Sequence, residues 1–407
     1  MNTTIALNTG AEKTDTEKGA KLPRRDWILL PAVSLMTVVL LGAPPTIVAH
    51  YAGFVEKGSL LPCLVRDDSS TGVRGIPGSV CWEQGSEDSD PVEYRFNSSG
   101  YRSDVPFLPK QKDTYRIVVL GSSVAIGMHV PVERTFAQLL PAELSRRTGH
   151  KAEVYNEGIQ TGFPRRVSLN FKDVLTVQPD LVLWVLTERD VEWSSELIPG
   201  TALKASQQRD SAPASPKGFL SNLVLDLAKL SPLDAMRKRW ESSRLADILR
   251  HYLYRSQSLY LASSLMPGAE NDYPRAVQSS DWQEKLAQFE IDAAEIESKA
   301  RAAHIPLVAA YCPNRTPAAM VSAGKWPGDY NPYKLDDQLR SIITSHGGTY
   351  IDILPDFHEI PNPEQGYLPL DGHPDARGHA IIAAFLAKKL TNGAVPALMT
   401  APGSRPN

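Results

Sequence analysis

The sequence predicts an α/β protein: a three-layer α/β/α sandwich around a five-stranded parallel sheet, preceded by one N-terminal transmembrane helix. Two observations predict the sheet. Short, nearly continuous apolar runs recur along residues 113–393, as expected of strands covered on both faces, and segments with helical periodicity separate them. A third observation, an uncharged apolar run near the amino terminus, predicts the membrane helix.

The size and charge of the chain allow a large core and give no sign of a nucleic-acid partner. The chain has 407 residues, 42% of them hydrophobic, and a formal net charge of −3. Length alone would allow two domains. A nearly balanced charge implies no general attraction to nucleic acid or to an anionic membrane surface.

Residues 27–49 are the predicted membrane anchor, because this run carries no charged residue and a membrane-spanning helix needs about 20 residues. Four basic residues precede it: Lys18, Lys21, Arg24 and Arg25. They predict a cytoplasmic tail, residues 1–26, and an extracytoplasmic location for everything after the span. A signal peptide cut after Ala49 is the rival interpretation. The long apolar run and the extended basic region favour an uncleaved anchor.

Three cysteines follow the predicted span. Cys63 and Cys81 flank a loop rich in Gly, Ser and Asp, and an exported compartment permits a disulfide there. Two unpaired thiols are the alternative, since connectivity is not readable from sequence. Cys312 follows an apolar strand and is interpreted as a small packing residue. Residues 52–112 are predicted to be an irregular membrane-proximal segment, because glycine, proline, serine and aspartate are frequent there.

A regular alternation of strands and helices begins near Tyr115. Strands are predicted at 117–120, 152–156, 180–186, 305–311 and 349–353. Helices are predicted at 135–147, 164–177, 281–303, 333–345 and 376–390. This alternation implies a parallel sheet with right-handed crossovers. Residues 195–280 interrupt it and are interpreted as a helical insertion beside the ligand-binding edge, with packing as the default role and a lid or membrane-surface element as alternatives. Residues 394–407 are predicted to be a disordered tail.

Ser123 follows the first predicted strand, in the string Gly121-Ser122-Ser123 with Gly127 beyond it. In an open α/β sheet, ligands meet side chains at the carboxyl ends of the strands. A serine hydroxyl there is a poor nucleophile until a neighbouring base takes its proton. The string therefore predicts a nucleophile only if the chain supplies a base.

The far end of the chain supplies that base. His373 precedes Pro374, a residue favoured in a first helical turn, so His373 is placed in the loop before the last helix. Imidazole suits the role of base because its ordinary pKa lies near neutrality. Asp371, two residues earlier, can fix the tautomer and stabilise the imidazolium.

Several other residues compete for roles in this site. Asp352 and Asp356 follow the fifth strand and are rival orienters, although Asp371 is nearer to the histidine in sequence. His379 lies on the last helix and is interpreted as structural. No metal site is predicted, because His358 and Glu359 lack the tight spacing of metal ligands, and no cofactor is expected.

These motifs resemble the SGNH/GDSL hydrolase superfamily, in the form of a bacterial membrane-anchored member. The first family block is matched by Gly121-Ser122-Ser123 with Gly127, the second by Asn156-Glu157-Gly158, and the closing block by Asp371, His373, Pro374 and Gly378. The resemblance covers roughly residues 94–390 outside the insertion. It implies a flavodoxin-like fold with Ser123 as nucleophile, His373 as base and Asp371 as its orienter. It also implies that the amides of Ser123 and Gly158 form part of the oxyanion hole.

The chain departs from the family pattern in two places. Ser122 replaces the aspartate of the first block, which is not the acid of the triad. The third block, normally Gly-x-Asn-Asp, reads Thr187-Glu188-Arg189-Asp190, so the asparagine that donates to the oxyanion is missing. Removing one such donor typically lowers kcat about 10²–10³-fold. Arg189 either substitutes as a charged donor in the oxyanion hole or blocks it by pairing with Glu188 or Asp190.

The resemblance implies an extracytoplasmic serine esterase or O-acyltransferase that works through an acyl-Ser123 intermediate. The expected location is the bacterial inner membrane, with the catalytic domain facing the periplasm. The resemblance favours an acylated carbohydrate, in particular O-acetylation of a surface polysaccharide, as substrate class. Other ester substrates, membrane lipid esters included, stay open. The alternative is a non-catalytic carbohydrate-binding or assembly protein with a degenerate site, an interpretation that Arg189 favours.

Overall fold

The computed structural model describes residues 63–65, 74–83, 91–103, 106–160, 163–194, 254, 256–265, 272–369 and 371–399. The predicted cytoplasmic tail, the predicted anchor at 27–49, most of the predicted insertion and residues 400–407 lie outside these ranges. No helix within them is both long and apolar enough to cross a membrane.

Strands and helices alternate through most of the described chain. The strands are β1 (Leu64–Val65), β2 (Arg74–Gly75), β3 (Val80–Glu83), β4 (Val92–Arg95), β5 (Thr114–Gly121), β6 (Lys151–Asn156), β7 (Leu181–Leu186), β8 (Leu307–Tyr311) and β9 (Thr349–Ile351). The helices are α1 (Ser123–Ile126), α2 (Phe136–Thr148), α3 (Pro164–Thr176), α4 (Glu188–Glu192), α5 (Gln257–Ser264), α6 (Ser280–Ala302), α7 (Arg315–Ala323), α8 (Lys334–Ser345) and α9 (Ala376–Lys389).

The predicted five-stranded parallel sheet is confirmed. Its strand order is β6-β5-β7-β8-β9, and every neighbouring pair is parallel. From β5, the chain adds β6 on one side of the sheet and then adds β7, β8 and β9 in turn on the other side. The carboxyl ends of β5 and β7 therefore flank the topological switch point, where open α/β sheets bind ligands.

Helices cover both faces of this sheet. Helix α2 packs against α9, whereas α6 packs against α3 and α8. The crossover from β5 to β6 runs opposite to the others, so right-handed connections place α2 on the other face from α3, α6 and α8. All six residues of β7 are buried, and Trp184 stacks on Phe289 of α6 with ring centroids 5.8 Å apart. The sheet is thus enclosed on both sides, as its unbroken apolar strands predicted.

The segment before the sheet is more regular than the sequence suggested, which corrects the prediction of an irregular 52–112. Strands β1 and β2 pair antiparallel, as do β3 and β4, and a disulfide joins Cys63 to Cys81. Tyr94 and Phe96 pack with Ile126 and Met128. This segment therefore lies against the chain that immediately follows Ser123.

Arg102 connects the segment before the sheet to residues 126–130, which follow Ser123. Its side chain is buried and donates hydrogen bonds to the carbonyl oxygens of Ile126, Gly127 and Val130, at 3.0, 2.5 and 2.7 Å. The guanidinium also lies over the Tyr94 ring, 4.0 Å from its centroid. Three backbone carbonyls on one buried cation fix the course of residues 126–130.

Two further differences from the sequence prediction concern the carboxyl-terminal half. Helix α7 was not predicted. The predicted disordered tail also begins too early, because residues 394–399 continue beyond α9 as short helical turns. Val395 and Leu398 there are buried in the main core.

Candidate active site

Ser123 stands where β5 gives way to a short helical turn. Strand β5 ends at Gly121, whose φ is +147° and at which a Cβ atom would lie 2.5 Å from the carbonyl oxygen of Val185. Only glycine fits there, and it directs the chain from the sheet into α1. Gly127, with φ of +76°, ends the turn in the left-handed region. The serine hydroxyl is thereby presented at the carboxyl edge of the sheet.

The structure brings Ser123, His373 and Asp371 into one hydrogen-bonded chain. The Oγ atom of Ser123 lies 2.7 Å from Nε2 of His373. On the other side of the ring, Nδ1 of His373 contacts Oδ1 of Asp371. The same carboxylate oxygen accepts the backbone N–H of His373 at 3.1 Å. These are the contacts that base activation of a serine requires.

The loop that carries Asp371 and His373 is held from outside and from within. The buried Arg315 donates to the carbonyl oxygens of Leu368 and Pro369, the latter at 2.8 Å. Asp375 then caps α9, its carboxylate accepting the N–H groups of Arg377 and Gly378 at 2.8 and 2.9 Å. The prediction that His373 lies in the loop feeding the last helix is correct.

Asp371 is held in its charged form. Burial disfavours the carboxylate, but hydrogen bonds from His129 and His373 outweigh burial and keep the pKa of Asp371 well below its ordinary range. A carboxylate that stays ionised can orient the His373 ring and stabilise the imidazolium that forms when the ring takes a proton.

His129 joins this group although no sequence pattern singled it out. Its Nε2 lies 3.5 Å from Oδ2 of Asp371. Potential metal-ligating atoms of His129, Asp371 and His373 lie within 4.8 Å of one another. A metal held by all three would compete with the contacts of His373 to Ser123 and Asp371, so we interpret the cluster as a hydrogen-bonded group around Asp371.

The structure corrects the predicted place of Gly158 in the oxyanion hole. The N–H of Gly158 donates to Oδ1 of Asn156 at 2.9 Å, and Nδ2 of Asn156 donates to the carbonyl of Ala125 at 2.7 Å. A Cβ atom at Gly158 would lie 2.6 Å from the backbone nitrogen of Ile126. The Asn156-Glu157-Gly158 block therefore packs behind α1, and its amide is already occupied.

Arg189 pairs with Glu192 and not with Glu188 or Asp190, the two partners foreseen for a blocked oxyanion hole. Its guanidinium donates to Glu192 at 2.8 Å and its side chain is 55% exposed. Asp190 is buried instead in a capping box, where its carboxylate accepts the N–H and hydroxyl of Thr187 at 2.7 and 2.8 Å. Burial raises the pKa of Asp190 to about 7. Arg189 is left on the rim of the pocket, on the same helix α4.

A pocket of about 350 Å³ opens in front of Ser123 and His373. Its walls are polar and aromatic and include Glu188, Arg189, Asn314, Arg315, Tyr254 and Tyr260. Tyr254 and Tyr260 belong to the segment predicted as an insertion, and α5 of that segment packs against α7. The described part of the insertion thus contributes directly to the pocket wall.

Glu188 contributes a carboxyl group to this wall. Burial raises its pKa, and Nδ2 of Asn314 donates to its Oε1 at 3.0 Å. Asn314 also exchanges hydrogen bonds with the Tyr273 hydroxyl at 2.6 and 2.8 Å. The pocket therefore contains a hydrogen-bonded polar network close to the candidate nucleophile.

The competing candidates lie in other networks. Asp352 contacts Arg340, and Asp356 pairs with Lys388 and Lys389 at 2.9 and 2.7 Å, so neither orients His373. The free Cys312 is buried, and burial raises its thiol pKa, as befits a packing residue.

His379, the other histidine of the closing region, is fully buried on α9. Its Nδ1 accepts the N–H of Phe136 at 3.1 Å, and burial lowers its pKa from 6.5 to about 3. The ring is therefore neutral and structural, as interpreted from the sequence.

The sequence analysis missed His129 and Arg315. His129 follows Ser123 closely in sequence whereas Arg315 lies in a distant stretch of chain, and neither stands in a motif with a fixed spacing. The only local signal is Gly127, two residues before His129, since glycine marks a tight turn after the nucleophile.

Comparisons with known proteins add little beyond this geometry. No protein-family model matches the chain, and no curated protein matches its sequence. Among solved structures, TesA is similar at 12% identity, with 70% of this chain and 99% of that chain covered and a TM-score of 0.36. The psychrotrophic esterase EstA from Pseudoalteromonas sp. is similar at 10% identity, with 68% of this chain and 96% of that chain covered and a TM-score of 0.32. A putative arylesterase from Agrobacterium tumefaciens is similar at 16% identity, with 67% of this chain and 97% of that chain covered and a TM-score of 0.33. Similarities this low carry no argument about activity.

Proposed function

We propose that this protein is an SGNH-type serine hydrolase that cleaves carboxylic esters through an acyl-Ser123 intermediate. The observation that carries the proposal is the chain of contacts from Ser123 Oγ through both ring nitrogens of His373 to Asp371. It supplies a nucleophile, a base within hydrogen-bond reach and a group that fixes the tautomer of the base.

Acylation begins when Ser123 Oγ attacks the carbonyl carbon of the ester and its proton passes to Nε2 of His373. The carbonyl oxygen becomes an oxyanion. The N–H of Ser123 lies in the first turn of α1, where helical amides have no intrahelical acceptor, and we assign it as one donor to that oxygen. When the carbon–oxygen bond of the ester breaks, His373 returns the proton to the departing alcohol.

Deacylation reverses these roles. A water molecule or a second alcohol gives its proton to His373 and attacks the acyl-serine, and the proton then returns to Ser123 Oγ. Water as acceptor completes an esterase cycle, whereas a sugar hydroxyl completes an O-acyltransferase cycle. The two reactions differ only in what occupies the pocket at this step.

Within this class, the finer proposal is an acylated carbohydrate as substrate. It is supported by the mixture of aromatic side chains, Tyr254 and Tyr260, with the polar groups of Glu188 and Asn314 in the pocket wall. Hydroxyl-rich ligands need both hydrogen-bonding partners and flat apolar faces. We expect a higher kcat/KM for O-acetylated oligosaccharides than for acetyl esters of simple alcohols. A preference for long acyl chains would contradict this assignment.

We further propose an anchored, extracytoplasmic enzyme, on the strength of the apolar run at 27–49 behind a basic flank. The disulfide between Cys63 and Cys81 supports this location, because such bonds persist in oxidising compartments. Protease added to intact spheroplasts should digest the domain after residue 52. Protection of that domain until the membrane is broken would contradict the proposed orientation.

A second candidate function is carbohydrate binding without turnover. Two observations favour it: the oxyanion-donating asparagine is replaced by Arg189, and the N–H of Gly158 is occupied by Asn156. Such a protein would hydrolyse no ester, and a variant with Ser123 replaced would bind the ligand as well as the wild type does.

Hydrolysis of an aryl acetate by the purified full-length protein separates these functions. We expect turnover that Ser123→Ala abolishes, because the alanine has no group to acylate. Ser122→Ala is the matched control, since Ser122 lies next to the nucleophile but directs its hydroxyl to Asp190 at 3.5 Å. Absence of turnover in a folded wild-type protein would leave the binding function.

A further inference from the structure

We propose that His129 is a positioning residue for Asp371, and that Glu83 in the disulfide-bonded segment holds His129 in place. The proposal rests on the function proposed above, since it assigns His129 a part in the same site. It makes the chain before the sheet a component of the active site rather than a connector.

The first observation is that Asp371 lies between two histidines. Its Oδ1 contacts the Nδ1 and backbone nitrogen of His373, and its Oδ2 faces Nε2 of His129 at 3.5 Å. The two rings meet edge to face, with centroids 5.7 Å apart. A carboxylate contacted through one oxygen can still rotate about its χ2 bond, whereas one contacted through both has a fixed plane. His129 is thus placed to set the orientation that Asp371 passes on to His373.

The second observation is that the backbone of His129 is held in an unfavourable conformation. Its φ is +61°, a left-handed value that is unfavourable for a non-glycine residue. The conformation is maintained by contacts from the segment before the sheet. The N–H of His129 donates to the Tyr94 hydroxyl at 2.9 Å, and Arg102 binds the carbonyls of Gly127 and Val130 on either side. Strained residues that surrounding contacts maintain are characteristic of functional sites.

The third observation is that Glu83 stands at the other nitrogen of the same ring. Oε2 of Glu83 lies 3.7 Å from Nδ1 of His129, with both side chains largely buried. Both ring nitrogens of His129 therefore lie near a carboxylate, Nδ1 near Glu83 and Nε2 near Asp371. Glu83 lies at the end of β3, two residues after Cys81, whose sulfur is bonded to Cys63. A continuous series of side-chain contacts therefore leads from the disulfide-bonded strand to the nucleophile: Glu83, His129, Asp371, His373 and Ser123.

Two substitutions at His129 test the proposal. His129→Phe removes the donor but keeps a ring, and we expect kcat for an aryl acetate to fall about 10- to 100-fold with KM unchanged, the effect of a small misplacement. His129→Gln restores an N–H near the position of Nε2 and should recover most of kcat. Glu83→Gln should give an intermediate loss. His150→Phe, at an exposed histidine before β6, is the matched control and should keep wild-type kcat.

A readout that does not depend on turnover separates this proposal from the proposed function. The hydrogen shared by His373 Nδ1 and Asp371 should give a low-field proton NMR signal in the wild-type protein. We expect His129→Phe to shift or abolish that signal and His129→Gln to keep it. A wild-type protein without turnover would overturn the proposed function, while an unchanged signal and unchanged kcat in folded His129→Phe would overturn the role of His129 alone. Equal losses in the phenylalanine and glutamine variants, in step with lower thermal stability, would also overturn it.

Discussion

At the scale of single residues, the candidate site contains a hydrogen-bonded serine, histidine and aspartate with an arginine on the rim of the same pocket. Ser123, His373 and Asp371 have the contacts that serine activation needs. Arg189 is half-exposed and pairs with Glu192. The half-exposed guanidinium of Arg189 would have to move to reach the negative charge that develops on the oxyanion. An asparagine amide fixed in the oxyanion hole would need no such movement.

The first prediction concerns Arg189. If the guanidinium swings from Glu192 to the oxyanion, Arg189→Asn removes a charged donor and kcat falls about 10²-fold or more, the usual effect of losing such a group. Steady-state kinetics with an aryl acetate measures this. Arg189→Lys should retain part of the activity because it keeps the charge. A large gain of activity in Arg189→Asn would show instead that the arginine hinders the reaction.

The second prediction concerns acid sensitivity at His379. The unfolded chain protonates this histidine below its ordinary pKa of 6.5, whereas burial holds the folded pKa near 3. The unfolded state therefore binds more protons in this range, and stability falls as the pH drops, by up to about 1.4 kcal/mol per pH unit for this one group. His379→Asn keeps an acceptor for the N–H of Phe136 and should lessen that slope. Urea unfolding between about pH 7 and about pH 5 measures the difference. An identical slope in the variant would contradict the assignment.

At the scale of elements, the site is assembled by connections between strands and helices rather than by the strands themselves. The turn after β5 presents Ser123, α4 after β7 carries Glu188 and Arg189, and the N-terminus of α7 supplies Asn314 and Arg315. The loop before α9 brings the base and its orienter. Arg315 braces this last loop from α7, because it binds two of the loop's carbonyl oxygens and stacks on Tyr254 and Tyr260.

The third prediction tests this brace. Arg315→Met keeps the length and apolar contact of the side chain but leaves the carbonyls of Leu368 and Pro369 without their donor. We expect kcat to fall about 10- to 100-fold through misplacement of His373. Arg301→Met is the control, since Arg301 also binds a backbone carbonyl, that of His346, far from the pocket. Equal activity in the two variants would show that Arg315 does not position the loop.

The sequence predicted the sheet well because its strands are buried on both faces. Leu181–Leu186 is apolar at every position, and such runs leave little choice of structure. Helix α7 was not predicted, although Pro317 lies in its first turn, where proline is favoured. Gly158 and His129 show a different limit. Whether an amide points to a pocket or to Asn156, and whether a histidine meets a carboxylate, depends on loop conformations that no periodicity encodes.

At the scale of the whole molecule, the segment before the sheet and the α/β domain form one functional unit. Arg102 and Tyr94 hold the chain after Ser123, and Glu83 stands beside His129. A segment between the predicted anchor and the α/β domain would be only a connector if it made no such contacts. Here its disulfide lies in the part of the structure that contacts the candidate site.

The fourth prediction concerns that disulfide. Cys63→Ser combined with Cys81→Ser opens a loop of 18 residues in separation, and we expect a loss of roughly 3 kcal/mol in the free energy of unfolding. Urea unfolding measures it. Dithiothreitol should destabilise the wild-type protein in the same way and leave the double variant unaffected. Equal stability of wild type and variant would mean that the hairpin contacts hold this segment without the bond.

The most direct test of the central claim is labelling of the full-length protein with a fluorophosphonate probe, followed by peptide mapping. The probe phosphonylates a serine only where a base has activated it. The account predicts a single modification on Ser123, retained in Ser122→Ala and lost in Ser123→Ala and His373→Ala. A folded protein that takes up no probe, or takes it up at another serine, would contradict the claim that these residues form a working hydrolase.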